Sequence, residues 1–350
     1  MKRGSQVLLI LVAAMVGAWQ RSDREFLERV RGLERLGRMA REGVVFRRPK
    51  ISPDGQWVAF VSDAPRRALW LARLGDLTPR RLAQREDRAE IRQFGWSPDS
   101  RRIAYVDGRA VKLIDVVTGE VTAITTISPF ISDPVFTPDG TLAVVANTDL
   151  IGNPVAREGD LEKVKRLTPW DRPYLVVRRP EEKEWLWGDL ARAHLVGEDI
   201  IVPYVLGPRR EVYLHVNGED RRITPVEPSR AVAPCLYVFL SPDRRKLALE
   251  CDGKGSSLSV YEIASRRIYD LGPLGFGSWS PGGEWILCDE EISDGHRVFW
   301  NDLYITHYTG GKRVKIGRAR GTVWGASWGR DGLVAYDEEG AIVISKILVK

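Results

Sequence analysis

A turn motif of the form Ser-Pro-Asp-Gly recurs along this chain of 350 residues, each time followed by a short apolar segment. Proline fixes φ near ~−65° at the corner of a turn, aspartate accepts hydrogen bonds from the backbone that follows, and glycine adopts the left-handed conformation. The alternating apolar residues after each turn predict the second strand of a hairpin. The copies are Ile51–Gly55, Trp96–Ser100, Phe136–Gly140, Leu240–Arg244, Trp279–Gly283 and Trp328–Gly332.

Two further strand-like segments follow most copies, for example Ala110–Asp115 and Val121–Ile124. Four antiparallel strands in about 40–50 residues are typical of a propeller blade. The interval between Thr137 and Ser241 has room for two units, and a degenerate unit spans His194–Thr224. The sequence therefore predicts an all-β protein with a single propeller of seven blades of four antiparallel strands, six blades being the alternative.

A ring of blades has to close on itself. The chain ends at Lys350, just after the third strand of the last unit. We therefore expect Val44–Phe46 to supply the missing outer strand, which leaves no exposed edge. The predicted propeller domain covers residues 44–350.

The Ser-Pro-Asp-Gly hairpins followed by (Ile/Val)-Ala-(Phe/Tyr) resemble the TolB-type, WD-like propeller repeats, which also occur in the prolyl oligopeptidase and dipeptidyl peptidase families. The resemblance covers residues ~44–350 and is specific for the fold rather than for a function. TolB-like propellers usually have six blades, and TolB carries an α/β domain ahead of the propeller that we do not find here. The peptidases add a C-terminal hydrolase domain, for which no chain follows.

The N-terminus has the layout of a secretory signal. Lys2 and Arg3 precede the apolar run Val7–Ala18, and small residues precede Trp19, the expected first residue after cleavage. The run is shorter than the ~20 residues that a membrane-spanning helix needs. We expect residues 1–18 to be a signal peptide or an uncleaved N-terminal anchor, which places the rest of the protein outside the cytoplasm.

Residues 19–43 are predicted to be a linker containing one short amphipathic helix. Ser22 and Glu25 have the spacing of a capping box, and Leu27, Val30 and Leu36 recur at helical spacing. We expect a helix over residues 22–42 that either spaces the propeller from the membrane or packs on it.

Composition excludes several classes of protein. Three cysteines and four scattered histidines do not support a disulfide-dense scaffold or a histidine-rich metal centre. The net charge of +6 is spread too evenly to predict nucleic-acid binding. The segment Gly325–Gly329 matches G-x-S-x-G, but it lies in a predicted hairpin and no histidine follows it, so Ser327 is not expected to be catalytic. No catalytic residue is predicted.

An acidic segment, Asp289–His296, lies between the second and third strands of its unit. Its carboxylates could bind a calcium ion, or the segment could be a solvated loop. Asp289, Glu290, Asp294 and His296 are therefore candidate binding residues.

The longest interruption of the repeat, residues 148–172, lies at the equivalent place in an earlier unit. Loops between second and third strands share one face of a propeller with the connections between blades, and loops on a rigid scaffold often bind ligands. Trp170 and Arg172 in this interruption are candidate binding residues, although Trp170 could equally pack on its own domain.

Cys235 and Cys251 flank the hairpin at Ser241. Pairing apolar residues across the hairpin places Phe239 opposite Leu247 and Cys235 opposite Cys251, so an exported protein could oxidise the two cysteines, or both could be buried thiols. Cys288 is interpreted as a core residue.

Three functions remain open, one of which, a structural role as a membrane-tethered lid or assembly factor, requires that the N-terminal helix stays attached. The first is an exported, non-catalytic propeller that binds a protein, a peptide or an envelope component on its loop-rich face, with the membrane contacted only through an uncleaved N-terminal segment. The second is a propeller enzyme, a glycan lyase or a hydrolase, that uses acidic channel residues or a metal. Convergence of the Asp289–His296 side chains on the channel would favour the enzyme.

Overall fold

The fold is given by a computed structural model. It describes residues 25–63, 67–84, 91, 94–107, 110–125, 134–138, 140–147, 173–178, 186–189, 201–206, 211–216, 219–223, 235–253 and 255–350. Trp170, Arg172 and the predicted signal segment 1–18 lie outside these residues. Within them, no helix is long and apolar enough to cross a membrane.

The described strands form seven sheets in which neighbouring strands run antiparallel. The first strand, β1 (Val30–Met39), belongs to the last sheet. The next four sheets comprise β2 (Phe46–Ile51), β3 (Trp57–Ser62), β4 (Ala68–Arg73) and β5 (Arg80–Gln84); β6 (Phe94–Trp96), β7 (Arg102–Asp107), β8 (Ala110–Asp115) and β9 (Val121–Thr125); β10 (Val135–Phe136), β11 (Leu142–Asn147), β12 (Pro173–Arg178) and β13 (Leu186–Asp189); and β14 (Ile201–Leu206), β15 (Glu211–Val216) and β16 (Glu219–Arg222).

The C-terminal third of the chain forms the other three sheets. They comprise β17 (Cys235–Leu240), β18 (Lys246–Gly253), β19 (Gly255–Glu262) and β20 (Arg267–Gly272); β21 (Gly275–Trp279), β22 (Trp285–Ser293), β23 (Val298–His307) and β24 (Arg313–Arg320); and β25 (Ala326–Trp328), β26 (Leu333–Glu338) and β27 (Ala341–Val349), to which β1 is added at the outer edge. A 3₁₀ turn at Arg330–Gly332 joins β25 to β26.

The prediction of seven blades of four strands, or of six, was wrong. Five blades have four strands together with a described core, namely β2–β5, β6–β9, β17–β20, β21–β24 and β25–β27 with β1. The described strands between β9 and β17 form one sheet of four strands and one of three. The degenerate unit predicted there has no Ser-Pro-Asp-Gly turn in its sequence, and within the described residues it supplies only β14, β15 and β16, so counting it as a full blade was wrong.

The N-terminal segment closes the ring, which corrects two predictions. Residues 25–29 are helical, but residues 30–39 form β1, which pairs with β27 from Val30↔Val349 to Met39↔Ile342. The predicted helix over 22–42 is therefore wrong, and so is closure by Val44–Phe46. Two β-bulges shift the register of β1, and each adds a residue to the alternation of buried side chains. The three-residue spacing of Val30, Leu33 and Leu36 that we interpreted as helical spans these bulges, and Leu36, the extra residue of the second bulge, is exposed.

Hydrogen bonds local to each turn explain why the motif recurs. In the first copy, Ser52 Oγ donates to Asp54 Oδ1 (2.5 Å) and accepts from the amide of Trp57 (2.9 Å). Asp54 Oδ1 also accepts from the amide of Gln56 (3.0 Å), and Gly55 has φ +73°. The same Ser–Asp bond is formed at Ser97–Asp99 and Ser241–Asp243. Each hairpin is thus specified by its own short sequence.

Contacts between neighbouring turns place them on one side of the ring, here called the turn face. The amide of Asp54 donates to Ser100 Oγ of the next turn (3.0 Å), and Lys246 Nζ lies 3.7 Å from Glu284 Oε1 of the following blade. Because every inner strand runs towards its turn, the starts of the inner strands and the ends of the second strands lie on the opposite side. That side is called the loop face below.

Apolar side chains fill the spaces between neighbouring blades. The core between the last and first blades includes Phe46, Phe60 and Trp70 from the first, and Ala335 and Ile344 from the last. Burial of these side chains stabilises the ring by about 1.5–3 kcal/mol for each large residue. The cores hold the inner strands, and with them the loop face, in a fixed geometry.

Candidate functional site on the loop face

Three successive blades carry a carboxylate at the same position of the second strand. Glu250, Asp289 and Asp337 each follow the apolar triplet of their strand, near its loop-face end. Side chains alternate along a strand, so each carboxylate lies on the same side of its sheet as the small or apolar residue two positions earlier. These three residues are called the acidic ladder below.

Asp337 is the most buried residue of the ladder, with 2% of its surface exposed. Its Oδ1 accepts hydrogen bonds from the amides of Trp324 (3.1 Å) and Gly325 (2.9 Å), and its Oδ2 lies 3.0 Å from the Trp324 amide. Burial raises the pKa of Asp337 to about 7, while these amides and the charge of Arg47 oppose the rise. The side chain thereby ties the end of β26 to the segment that leads into β25.

Asp289 and Glu250 form the other part of the ladder. The Asn301 side-chain amide donates to Asp289, and a Cβ added to Gly275 would lie 2.8 Å from Asp289 Oδ1, so the carboxylate packs against the start of β21. Burial raises the pKa of Asp289 to about 6. Burial and the charge of Asp289 raise the pKa of Glu250 to about 7, opposed by a hydrogen bond from the amide of Phe276. The pKa values of both carboxyl groups therefore lie closer to neutral pH than those of exposed carboxylates.

Trp324 is an exposed aromatic residue beside the ladder. Half of its surface (50%) is exposed. The guanidinium carbon of Arg47 lies 4.4 Å from the centre of its ring, and Arg47 Nε lies 2.5 Å from Asp63 Oδ2. Trp324, Arg47, Asp63 and Asp337, here the Trp324 cluster, thus join the last blade to the first. Its exposed ring and guanidinium offer a stacking surface for a planar or apolar group.

A second exposed aromatic residue lies on the inner strand β17. Tyr237 is 45% exposed, and its ring centre lies 6.1 Å from that of Phe239. Phe239 in turn stacks on Phe276 of the next blade, with ring centres 4.3 Å apart. Tyr237 pairs with Glu250 across β17 and β18, so this row of rings adds apolar surface on the same side of the sheet as Glu250.

Comparisons with known proteins address the fold. No protein-family model and no curated protein matches the chain, whereas many solved structures do. Oligogalacturonate lyase from Vibrio parahaemolyticus is similar with a TM-score of 0.59 and 15% identity, covering 91% of this chain and 97% of the lyase. This chain is a β-propeller.

TolB from Acinetobacter baumannii is similar with a TM-score of 0.48 and 19% identity, covering 79% of this chain. The match covers 64% of the TolB chain, so the propeller spans less than two thirds of that protein's length. At 15% identity the likeness to the lyase shows the fold alone.

The propeller does not gather the predicted acidic residues at one point. Asp289 and Glu290 belong to β22, which continues to Ser293, so they are strand residues rather than parts of a loop. Glu290 Oε2 lies 3.5 Å from Arg313 of the outer strand. Asp294 caps its own turn by accepting hydrogen bonds from the amides of His296 (2.9 Å) and Arg297 (2.7 Å).

Those amides lower the pKa of Asp294, so it remains ionised at the exposed tip of the β22–β23 hairpin beside the exposed His296. Within the described ranges, no three side chains of His, Cys, Asp or Glu are placed to hold a metal ion. Calcium binding stays a prediction, as does ligand contact by Trp170 and Arg172.

Cys235 and Cys251 are joined in a disulfide bond at the loop-face end of β17 and β18. The predicted register was only partly right. Phe239 pairs with Ala248 rather than with Leu247, and a register shift between Cys235 and Tyr237 brings the two cysteines opposite each other. Cys288 is a free, buried thiol, and burial raises its pKa to about 12.

Ser327 and the repeated tryptophans have structural contacts. Ser327 is 9% exposed and its Oγ accepts a hydrogen bond from the amide of Ile51. Trp96 Nε1 donates to the carbonyl of Lys50 (2.9 Å), and Trp279 Nε1 donates to the carbonyl of Phe239 (3.2 Å). In both cases the tryptophan before the turn binds the inner strand of the preceding blade, so its repetition reflects packing between blades.

Sequence analysis missed Glu250, Arg47 and Trp324. Glu250 follows Ala248 at the spacing with which Asp337 follows Ala335, so aligning the repeats would have revealed it. No local pattern indicates Trp324 or Arg47, because they meet only where the two ends of the chain come together.

Proposed function

We propose that this protein is exported and binds a protein, a peptide or another envelope component through its loop face. The exposed Trp324 ring, backed by Arg47 and anchored by Asp337, is the observation that carries the proposal. Tryptophan and arginine are enriched among the residues that dominate binding energies at interfaces, and here an exposed tryptophan rests on a partly buried arginine. The N-terminal segment, charged and then apolar, supports export.

The aromatic row of Tyr237, Phe239 and Phe276 supports the same function. It supplies apolar surface on inner strands, while the acidic ladder supplies groups that accept hydrogen bonds or exchange protons. A ligand with an apolar or planar part and a hydrogen-bonding part fits this combination, and a peptide segment has both. In this proposal Trp170 and Arg172, which the sequence predicts to be binding residues, add further contacts.

Photo-crosslinking in the full chain tests the proposal. A photoreactive phenylalanine analogue would replace Trp324 in one variant and Ile268 in another, since Ile268 is a 40% exposed apolar residue on the outer strand β20. We expect a discrete adduct with an envelope component from position 324 and none from position 268. Equal labelling from both positions, or no adduct from position 324 in cells, would overturn the proposal.

An enzymatic function is the second candidate, because burial and the charge of Asp289 raise the pKa of Glu250 to about 7, and burial raises the pKa of Asp289 to about 6. Such a pair suits general acid–base chemistry, as a glycan lyase or hydrolase requires. Turnover of a glycan by the wild type that is lost in Glu250→Gln, but kept in Asp294→Asn, would favour the enzyme over the binding protein.

A further inference from the structure

Two neighbouring outer strands carry an excess of positive charge. β24 contains Arg313, Lys315, Arg318 and Arg320 and no acidic residue. β1 contains three arginines and a single glutamate. The four basic residues of β24, like the three arginines of β1, are exposed. Together with Lys312, these strands are called the basic rim below.

β1 and β24 lie side by side on the circumference of the ring. A Cβ added to Gly32 of β1 would lie 3.3 Å from the carbonyl oxygen of Ile316, and one added to Gly317 of β24 would lie 3.2 Å from Leu33 Cδ1. The outer edges of the last two blades therefore pack closely. The exposed basic residues of β1 and β24 thus belong to adjacent strands of the circumference.

Nearby carboxylates neutralise only part of this charge. Asp302 binds two cations at once, with Lys315 Nζ at 2.5 Å from Oδ2 and Arg318 Nε at 2.6 Å from Oδ1. These partners lower the pKa of Asp302, so it stays ionised, yet one carboxylate cannot offset two charges. Glu338 pairs with Arg35, and Glu290 lies 3.5 Å from Arg313.

Exposed apolar side chains accompany the charges. Leu36 of β1 is 49% exposed, and Phe299, just before Trp300, is 42% exposed. Arg318 stacks 4.3 Å from the centre of the Trp300 ring. Cations mixed with exposed aliphatic and aromatic side chains are the composition of surfaces that lie in the headgroup region of a membrane.

We propose that the basic rim rests on an anionic lipid surface, so that the propeller stands on its edge. The chain order supports lipid as the occupant, because the apolar run Val7–Ala18 directly precedes the segment that leads into β1. If the run stays in the chain as an anchor, it would hold the rim within reach of the headgroups. If the run is cleaved, the rim alone would orient the released molecule on the membrane. This proposal does not depend on the ligand of the loop face.

Vesicle co-sedimentation of the full chain tests the proposal. The vesicles would contain phosphatidylcholine alone, or phosphatidylcholine mixed with phosphatidylglycerol. The rim variant replaces Arg38, Lys312, Lys315 and Arg320 with Gln. The control variant removes the same charge from exposed residues of other blades by replacing Arg81, Arg101, Arg266 and Arg267 with Gln.

We expect wild type and control to bind the anionic vesicles more tightly than the neutral ones, and the rim variant to lose at least about tenfold of that preference. The preference should also fall as salt is added, since exposed charges are screened. Equal binding to both vesicle types, or equal losses in rim and control variants, would overturn the proposal. Rim-dependent binding to polygalacturonate without binding to anionic vesicles would assign the surface to an acidic glycan and would also overturn it.

Discussion

Ser327 Oγ accepts a hydrogen bond of 2.9 Å from the amide of Ile51, which joins the inner strands of the last and first blades across 276 residues of sequence. The bond is buried, and it lies beside the apolar core that the two blades share. The hydroxyl of the serine in the G-x-S-x-G segment therefore adds a hydrogen bond between the last and first blades, whose sheet β1 completes.

Ser327→Ala should destabilise the ring. The substitution leaves the Ile51 amide without this acceptor, and a buried unsatisfied amide costs about 1–3 kcal/mol. Urea unfolding would measure the loss, with Ser265→Ala as the control because Ser265 is exposed and bonds Glu262 of its own turn. Equal stability of the two variants would mean that the closing bond contributes nothing.

Met39→Ala should be far more costly than Leu36→Ala, although both residues lie on β1. Met39 is 2% exposed and packs in the core between the last and first blades, whereas Leu36 is 49% exposed. Truncating a buried methionine costs about 2–5 kcal/mol. Thermal or urea unfolding would compare the variants. Similar small effects of both substitutions would contradict the packing of residues 30–39 as a strand of the ring.

Glu250→Gln should flatten the dependence of stability on pH. The folded-state pKa of about 7 exceeds the ordinary value of 4.5, so between these values the folded protein binds more protons than the unfolded chain. Stability therefore falls as pH rises from about 4 to 7. At pH 8 the variant should be more stable than wild type by up to about 3 kcal/mol, and at pH 4 the difference should vanish.

Asp294→Asn serves as the control for that experiment, because ionisation of Asp294 should stabilise the folded protein, whereas ionisation of Glu250 should destabilise it. The pKa of Asp294 is lowered in the folded protein, so its contribution to stability is present above the ordinary pKa of 3.8 and is lost as pH falls through the folded value. Urea unfolding of both variants from pH 4 to pH 8 would compare the slopes. Parallel slopes would contradict the burial of Glu250.

Thiol titration should count one reactive thiol in the unfolded, unreduced protein and three after reduction. The chain has three cysteines, and the disulfide between Cys235 and Cys251 leaves only Cys288 free. Replacing both bonded cysteines with serine should lower stability by about 2–4 kcal/mol. Three thiols before reduction would show that the bond does not form in the isolated protein.

The hairpins could be predicted because each is encoded within a few residues. The bonds from Ser52 to Asp54 and Trp57 span at most five positions, so the same local sequence gives the same turn wherever it recurs. The position of β1 could not be predicted in this way. Its bulges disguise its alternation, and its partner β27 lies more than 300 residues away in the chain.

The residues of the candidate site also differ in whether the local sequence predicts them. The acidic ladder has a sequence signal, since Glu250, Asp289 and Asp337 share one position of the repeat. Local sequence therefore sets which residue types each strand carries and on which side of the sheet they lie, because turn chemistry and the two-residue period of a strand act over short distances. The tertiary structure decides which carboxylates become buried and whether Arg47 contacts Trp324. Both depend on closure of the ring, because only closure brings residues from the two ends of the chain into contact and removes the water between them.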